Sequence, residues 1–108
     1  MTAAVQNAFR ALADPSRRQI LLYLSSQDMT IAQVAEHFDM TRAAVKKHLT
    51  ILEEGKLISV RPRGRERVNR LEPKAFKPVA KWISYFDRFW DEKIGNLKTA
   101  VETAEGKK

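Results

Sequence analysis

Arg42, Lys46 and Lys47 fall within six residues, and no acidic residue occurs between Arg42 and Ile51. On a helix, residues four apart share a face, so Arg42 and Lys46 reach into one groove together. A guanidinium and an ammonium held that way suit base edges and phosphate oxygens of duplex DNA. A second cationic run follows at residues 61–70, where Arg61, Arg63, Arg65, Arg67 and Arg70 stand against the single acid Glu66. An arginine-rich tip beside a groove-reading helix can contact phosphates or enter the minor groove. The same run would also serve as a plain solvated face.

Other chemistries find little material. The 108 residues include no cysteine, which excludes disulfides, thiolate metal sites and redox thiols. His37 and His48 are eleven residues apart on different predicted helices and make no convincing metal pair. The glycines at 55, 64, 95 and 106 build no phosphate-binding loop, and Ser16, Ser25, Ser26, Ser59 and Ser84 have no catalytic motif around them. The expectation is a protein without enzymatic activity, cofactor or metal. A net charge of +7 favours a polyanionic partner, nucleic acid before an anionic membrane. The first nineteen residues lack the apolar core of a signal peptide, and no apolar run of 18 residues occurs. A cytoplasmic location with no membrane association is therefore expected.

The elements that must position these cations can be read from periodicity and caps. With 44% hydrophobic residues the chain can build a core, and its length suits one domain over residues 1–104, with a frayed tail at 105–108. Val5, Ala8, Phe9 and Leu12 share one face of a first helix over Ala3 to Ala13. Asp14-Pro15 caps a second helix to Ser26, which turns Ile20, Leu21 and Leu24 inward. Thr30 and Gln33 have capping-box spacing, opening a short third helix that ends at Phe38-Asp39. Thr41 caps a fourth helix to about Glu54, with Val45, Leu49 and Leu52 buried. Subtracting those positions leaves Thr41, Arg42, Ala43, Lys46, Lys47 and Thr50 exposed on its N-terminal half.

From Leu57 the pattern changes to strand formers around Gly64, predicting a two-stranded hairpin with a basic tip. A last helix starts near Pro73 or Pro78 and runs to about Thr103. At 1.5 Å per residue it would span about 40 Å, more than so small a core can cover. Its apolar side carries Val79, Trp82, Phe86, Phe89, Trp90, Ile94, Leu97 and Val101. Such a surplus apolar helix needs a partner. The predicted architecture is mainly α with a small β-hairpin, in the order α-α-α-α-β-β-α, a winged helix-turn-helix.

Two stretches carry a family resemblance across nearly the whole chain. Ala11-Leu12-Ala13-Asp14-Pro15-Ser16-Arg17-Arg18-Gln19-Ile20-Leu21 is similar to the opening of the ArsR/SmtB winged-helix repressors. Val45-Lys46-Lys47-His48-Leu49, with Leu52, is similar to that family's recognition helix. The resemblance implies that the fourth helix reads DNA through Arg42, Ala43, Lys46 and Lys47. It also implies a homodimer through the first and last helices, with Val5, Phe9, Leu12, Trp82, Phe86, Phe89, Trp90, Ile94 and Leu97 at the interface. A two-fold dimer would bind an inverted-repeat operator, with half-sites about 34–36 Å apart when one DNA turn separates them.

Some positions depart from the family pattern. Asp39 stands where a helix-turn-helix places glycine, and aspartate tolerates the left-handed conformation such a turn needs. Lys56 replaces the glycine common after the recognition helix, with Gly55 one residue earlier. The third helix has no cysteine and the last no histidine, which marks a metal-free branch and leaves an organic effector, a partner protein or concentration alone as the signal.

Several residues have two readings. Gln33 either caps its helix or touches a phosphate. His48 either packs half-buried or contacts the DNA backbone. The aromatic cluster either packs a dimer or lines an effector pocket. The function expected is a sequence-specific DNA-binding transcriptional regulator, a repressor that can act on its own promoter. A winged-helix protein-interaction module and a metal-responsive repressor with non-standard ligands are the alternatives.

Overall fold

A computed structural model describes residues 2–90 and 92. Five helices, three strands and a 3-10 turn follow one another in these residues. They are α1 (Ala3–Leu12), α2 (Pro15–Ser26), β1 (Met29–Thr30), α3 (Ile31–Ala35) and α4 (Arg42–Glu54). Then come β2 (Ile58–Arg63), β3 (Glu66–Leu71), the 3-10 turn Pro73–Phe76 and α5 (Lys77–Ser84). No described helix is long and apolar enough to cross a membrane.

The helices begin where their capping side chains dictate. Thr2, Asp14, Thr30 and Thr41 each have extended backbone and accept a hydrogen bond from the N–H three residues on. That contact satisfies a donor the first helical turn leaves free. At Thr30 the box is reciprocal, because the Gln33 side chain accepts from the Thr30 N–H at 2.9 Å. The Arg17 N–H donates to Asp14 at 3.0 Å and holds its carboxyl below the ordinary value, against a smaller opposing cost of desolvation.

The core gathers Ala8 and Ala11 of α1, Ile20, Leu21 and Leu24 of α2, and Val34 of α3. Val45, Leu49 and Leu52 of α4 meet them, with Met29, Leu57, Ile58 and Val79 closing the cluster. α4 therefore stands on a packed floor and presents its opposite side to solvent.

Four expectations need correction. First, α3 stops at Ala35, and His37 and Phe38 continue as a tight turn by donating to Val34 and Ala35. Second, the hairpin is extended by a third strand: the sheet order is β1-β3-β2, with Met29 opposite Asn69 and Thr30 opposite Val68. Buried Asn69 secures that edge by donating to the Met29 carbonyl at 3.1 Å. Third, the last helix is not continuous. It opens as the 3-10 turn at Pro73, becomes α5 at Lys77, and turns at Tyr85 and Phe86 before residues 87–90 become helical again. Its expected extension to Thr103, and the tail, lie outside the described residues.

Fourth, Asp39 is not left-handed. Among the described residues the non-glycine with positive φ is Lys56, at 60°. There the Leu57 N–H donates to the Leu52 carbonyl and the Lys56 N–H to Glu53, the paired bonds of a Schellman cap with lysine in glycine's place. Gly55 is retained one position earlier for close approach, since a Cβ there would stand 3.0 Å from the Asn7 carbonyl oxygen of α1.

Candidate nucleic-acid interface

The exposed side of α4 and the hairpin face each other across an open groove of about 620 Å³. One wall is Arg42, Ala43, Lys46, Leu49, Thr50 and Glu53 of α4. The other is Val60, Arg65, Glu66, Arg67 and Asn69 of the wing, and Thr30, Ile31 and Ala32 close one end. The spacing of α4 explains its wall: Val45, Leu49 and Leu52 turn inward, and 42, 46, 50 and 53 fall on the adjoining stripe, about a quarter turn round the helix, with Leu49 at the boundary.

Charge is graded along that stripe. Arg42 and Lys46 occupy its N-terminal half, where the helix dipole adds positive potential, and Glu53 lies at its far end. The ion pair among the described residues is Arg10–Glu54 at 3.7 Å, away from the groove. The groove cations thus have no acidic partner among those residues and stay open to an external anion.

Register divides the wing arginines. Residues directly opposite in an antiparallel pair project to the same face. Val60 pairs with Asn69 and Pro62 with Arg67, which puts Arg67 on the side of α4. Arg61 pairs with Val68 and Ser59 with Arg70, on the reverse side, and Arg63 shares that side although its partner Glu66, next to the turn, also lines the groove. There Arg61, Arg63 and Arg70 line a second, shallower concavity with Asp28, Pro62 and Val68. Gly64, at φ 64°, makes the turn that leaves Arg65 at the tip. The five wing arginines read from the sequence therefore do not share one surface: Arg65 and Arg67 join Arg42 and Lys46, whereas Arg61, Arg63 and Arg70 do not.

The remaining predicted residues fall as follows. Lys47 and Thr41 are exposed outside the groove, and the Thr41 hydroxyl caps α4 by accepting from Ala44 at 3.1 Å. Thr50 lines the groove but donates its hydroxyl to the Lys46 carbonyl at 3.0 Å. Gln33 is exposed with its carbonyl oxygen engaged in the capping box. His48 is half-buried, its Nδ1 3.4 Å from an Arg17 guanidinium nitrogen. The same guanidinium donates to the Ala11 and Arg10 carbonyls, tying the C-terminus of α1 to α4. Sequence reasoning passed over Arg17, Asn69 and the groove carboxylate Glu53, and gave Arg70 and Glu66 no role beyond their place in the charged run. Strand alternation around Gly64 carried a signal for Asn69 and Arg70, but nothing local marks Arg17, whose contact to His48 spans 31 residues.

A second surface has the opposite character. Phe9 of α1 meets Trp82 of α5 edge-on at 5.6 Å, and Trp82 meets Phe86 at 5.1 Å. Despite these contacts Trp82 is 49% exposed, Phe89 49% and Trp90 63%. Val5 and Leu12 are half-buried beside them, while Ile94 and Leu97 lie outside the described residues. No group of three potential metal ligands occurs among the described residues.

Comparison with known proteins agrees with this geometry. A helix-turn-helix domain family matches residues 12–61. The transcriptional repressor SdpR of Bacillus subtilis is 33% identical over 82 residues, covering 76% of this chain and 91% of that protein. The HTH-type transcriptional regulator Rv2034 of Mycobacterium tuberculosis is 35% identical over 96 residues, covering 89% and 87%. The crystal structure of the ArsR family transcriptional regulator RHA00566 superposes with a TM-score of 0.74 at 33% identity. It covers 82% of this chain and 97% of its own.

Proposed function

The chain belongs to the ArsR family of winged helix-turn-helix regulators and is a DNA-binding transcriptional repressor, and we propose that it acts as a symmetric dimer on an inverted-repeat operator. The observation that carries this reading is the groove that brings Arg42 and Lys46 of α4 opposite Arg65 and Arg67 of the wing. A helix fits the major groove of B-DNA, and a hairpin beside it falls on the adjacent strand and minor groove. Arg42, Lys46 and Lys47 are assigned to base edges, with Ala43 leaving room for their approach. Thr41, beside the groove, and Thr50, within it, are assigned to the backbone. Arg65 and Arg67 are assigned to phosphates and the minor groove. Gln33 and His48, held by Thr30 and Arg17, are assigned a supporting role at the backbone.

Repression requires no chemistry from the protein. A dimer seated across a promoter excludes the polymerase by occupancy, so affinity and specificity are the quantities that matter. The exposed aromatic surface of α1 and α5 supplies the second requirement, an apolar face that two copies bury against each other.

The test begins with duplexes selected by the protein from a random library. Fluorescence anisotropy on the selected duplex and on a scrambled one, at two salt concentrations, is expected to show a margin of at least about 10³-fold and a steep loss with salt. Equal weak binding to both duplexes would refute the reading.

A further inference from the structure

One side chain ties together the helices that carry the two surfaces of the molecule. Arg17 stands in the first turn of α2, its backbone N–H fixed by the Asp14 cap. Its half-buried guanidinium spreads over the C-terminus of α1, where Nε donates to the Ala11 carbonyl at 2.8 Å and Nη2 to the Arg10 carbonyl at 3.0 Å. The last turn of a helix leaves its carbonyls short of donors, and a cation there also suits the helix dipole. The third arm, Nη1, lies 3.4 Å from Nδ1 of half-buried His48 on α4. A guanidinium can only donate, so Nδ1 accepts. One planar group thus joins α2, α1 and α4.

α1 touches α4 at a second place. Gly55, just past the end of α4, lies so close to α1 that a Cβ there would stand 3.0 Å from the Asn7 carbonyl oxygen and 3.2 Å from the Ala8 Cα. The neighbouring Arg10–Glu54 pair is exposed on both sides and holds little. A single close contact is a pivot, whereas two contacts fix an angle. At 1.5 Å per residue, His48 lies about 10 Å along α4 from Gly55, and Arg42 about 20 Å from it. Slack of about 10° at that pivot would carry Arg42 through about 3.5 Å, the scale of one base-pair step. Burial of Val45, Leu49 and Leu52 holds α4 on its floor but is non-directional, while a rigid fork with three contacts resists rotation.

α1 carries Phe9 of the aromatic surface and α4 carries Arg42 and Lys46, so the angle between these helices sets how far apart two copies hold their reading helices. We propose that Arg17 is the positioning residue that fixes this separation, and with it the half-site spacing that the protein accepts. The proposal rests on the symmetric-dimer reading above and names the side chain that makes that dimer selective for one centre-to-centre distance.

The experiment measures anisotropy on the selected operator and on a series with one or two base pairs added to or removed from its centre, with a single half-site as reference. Wild-type protein is expected to lose about 10-fold or more at each displaced spacing, as the second half-site falls out of register. Arg17→Met keeps the apolar stem, removes all three contacts, and is expected to shrink that penalty by about 3-fold or more. His48→Leu releases only the α4 end of the bridge. Loss of the histidine's own backbone contact lowers its affinity at every spacing alike, and its profile is expected to flatten as in Arg17→Met. Both variants are checked for cooperative urea unfolding, and if Arg17→Met does not fold, His48→Leu alone decides. A loss that is uniform across spacings in Arg17→Met, with the wild-type penalty kept, would make Arg17 ordinary structural support and overturn the proposal. So would a sharp wild-type profile in His48→Leu, because the bridge to α4 would then set no angle. A wild type that binds paired half-sites no more tightly than a single one, at any spacing, would instead bring down the dimeric reading on which the proposal rests.

Discussion

The α4–wing surface and the α1–α5 surface are both left unsatisfied in a single copy of the chain, but in opposite currencies. The first holds exposed Arg42, Lys46, Arg65 and Arg67 with no acidic partner among the described residues. The second holds Trp82, Phe86, Phe89 and Trp90 between 38% and 63% exposed. Charge attraction to a polyanion weakens as salt rises, because the partner's counterions must be displaced. Burial of aromatic surface barely depends on salt and depends instead on protein concentration. The two surfaces can therefore be broken separately, and each leaves its own signature.

The largest effect is expected at the aromatic surface. Phe86→Asp places a charge in the middle of the Trp82–Phe86–Phe89 contacts and should leave a monomer in sedimentation experiments. Loss of the second half-site then lowers affinity for the full operator by about 10²–10⁴-fold, while affinity for a single half-site stays close to wild type. A dimer that persists in Phe86→Asp would move the interface elsewhere.

Next in size is the reading surface. Arg42→Ala should cost about 1–3 kcal/mol on the selected operator and relax base preference, whereas Arg65→Ala should weaken all duplexes similarly and reduce the salt slope by about 1. Parallel losses for both on operator and scrambled DNA would erase the division between helix and wing.

The joint between the two surfaces offers a sharper test. Gly55→Ala drives a Cβ to 3.0 Å from the Asn7 carbonyl oxygen, at the point where α1 meets the end of α4. Overpacking of this kind costs about 1–3 kcal/mol in urea unfolding and is expected to disturb both surfaces at once. Lys56→Gly, one residue on, relieves a left-handed lysine and should raise stability by about 0.5–1 kcal/mol with operator binding unchanged.

The smallest effect is a pH dependence at the Asp14 cap. Its carboxyl is held below the ordinary value of 3.8, chiefly by the Arg17 N–H. A depressed folded-state value contributes stability that is present above the unfolded value and is lost as pH falls through the folded one. Asp14→Ala should therefore cost about 1 kcal/mol near neutral pH. The gap from wild type should narrow below about pH 4. A gap that stays constant to pH 3 would show that the charge contributes nothing.

Much of this architecture was written in short-range features. A cap acts over three residues, so Asp14, Thr30 and Thr41 announced three helix starts that the structure reproduces. The inward spacing of Val45, Leu49 and Leu52 likewise announced which side of α4 is free, and with it Arg42 and Lys46. The reach of α4's neighbours was decided elsewhere. β1 is two residues long and is a strand only by pairing with β3, where Asn69, forty residues away, also bonds the Met29 carbonyl. Why the glycine stands at 55 and not at the left-handed position 56 is visible only in the packing, where the α1 backbone leaves no room for a Cβ at Gly55. Above all, the five wing arginines are indistinguishable by composition. Only strand register, a property of pairing between β2 and β3, turns Arg67 toward α4 and sends Arg61, Arg63 and Arg70 to the other side. Local chemistry thus determined where helices begin and which charges they display. Contacts between distant segments decided which of those charges share a surface, because a face is made only when two elements pack.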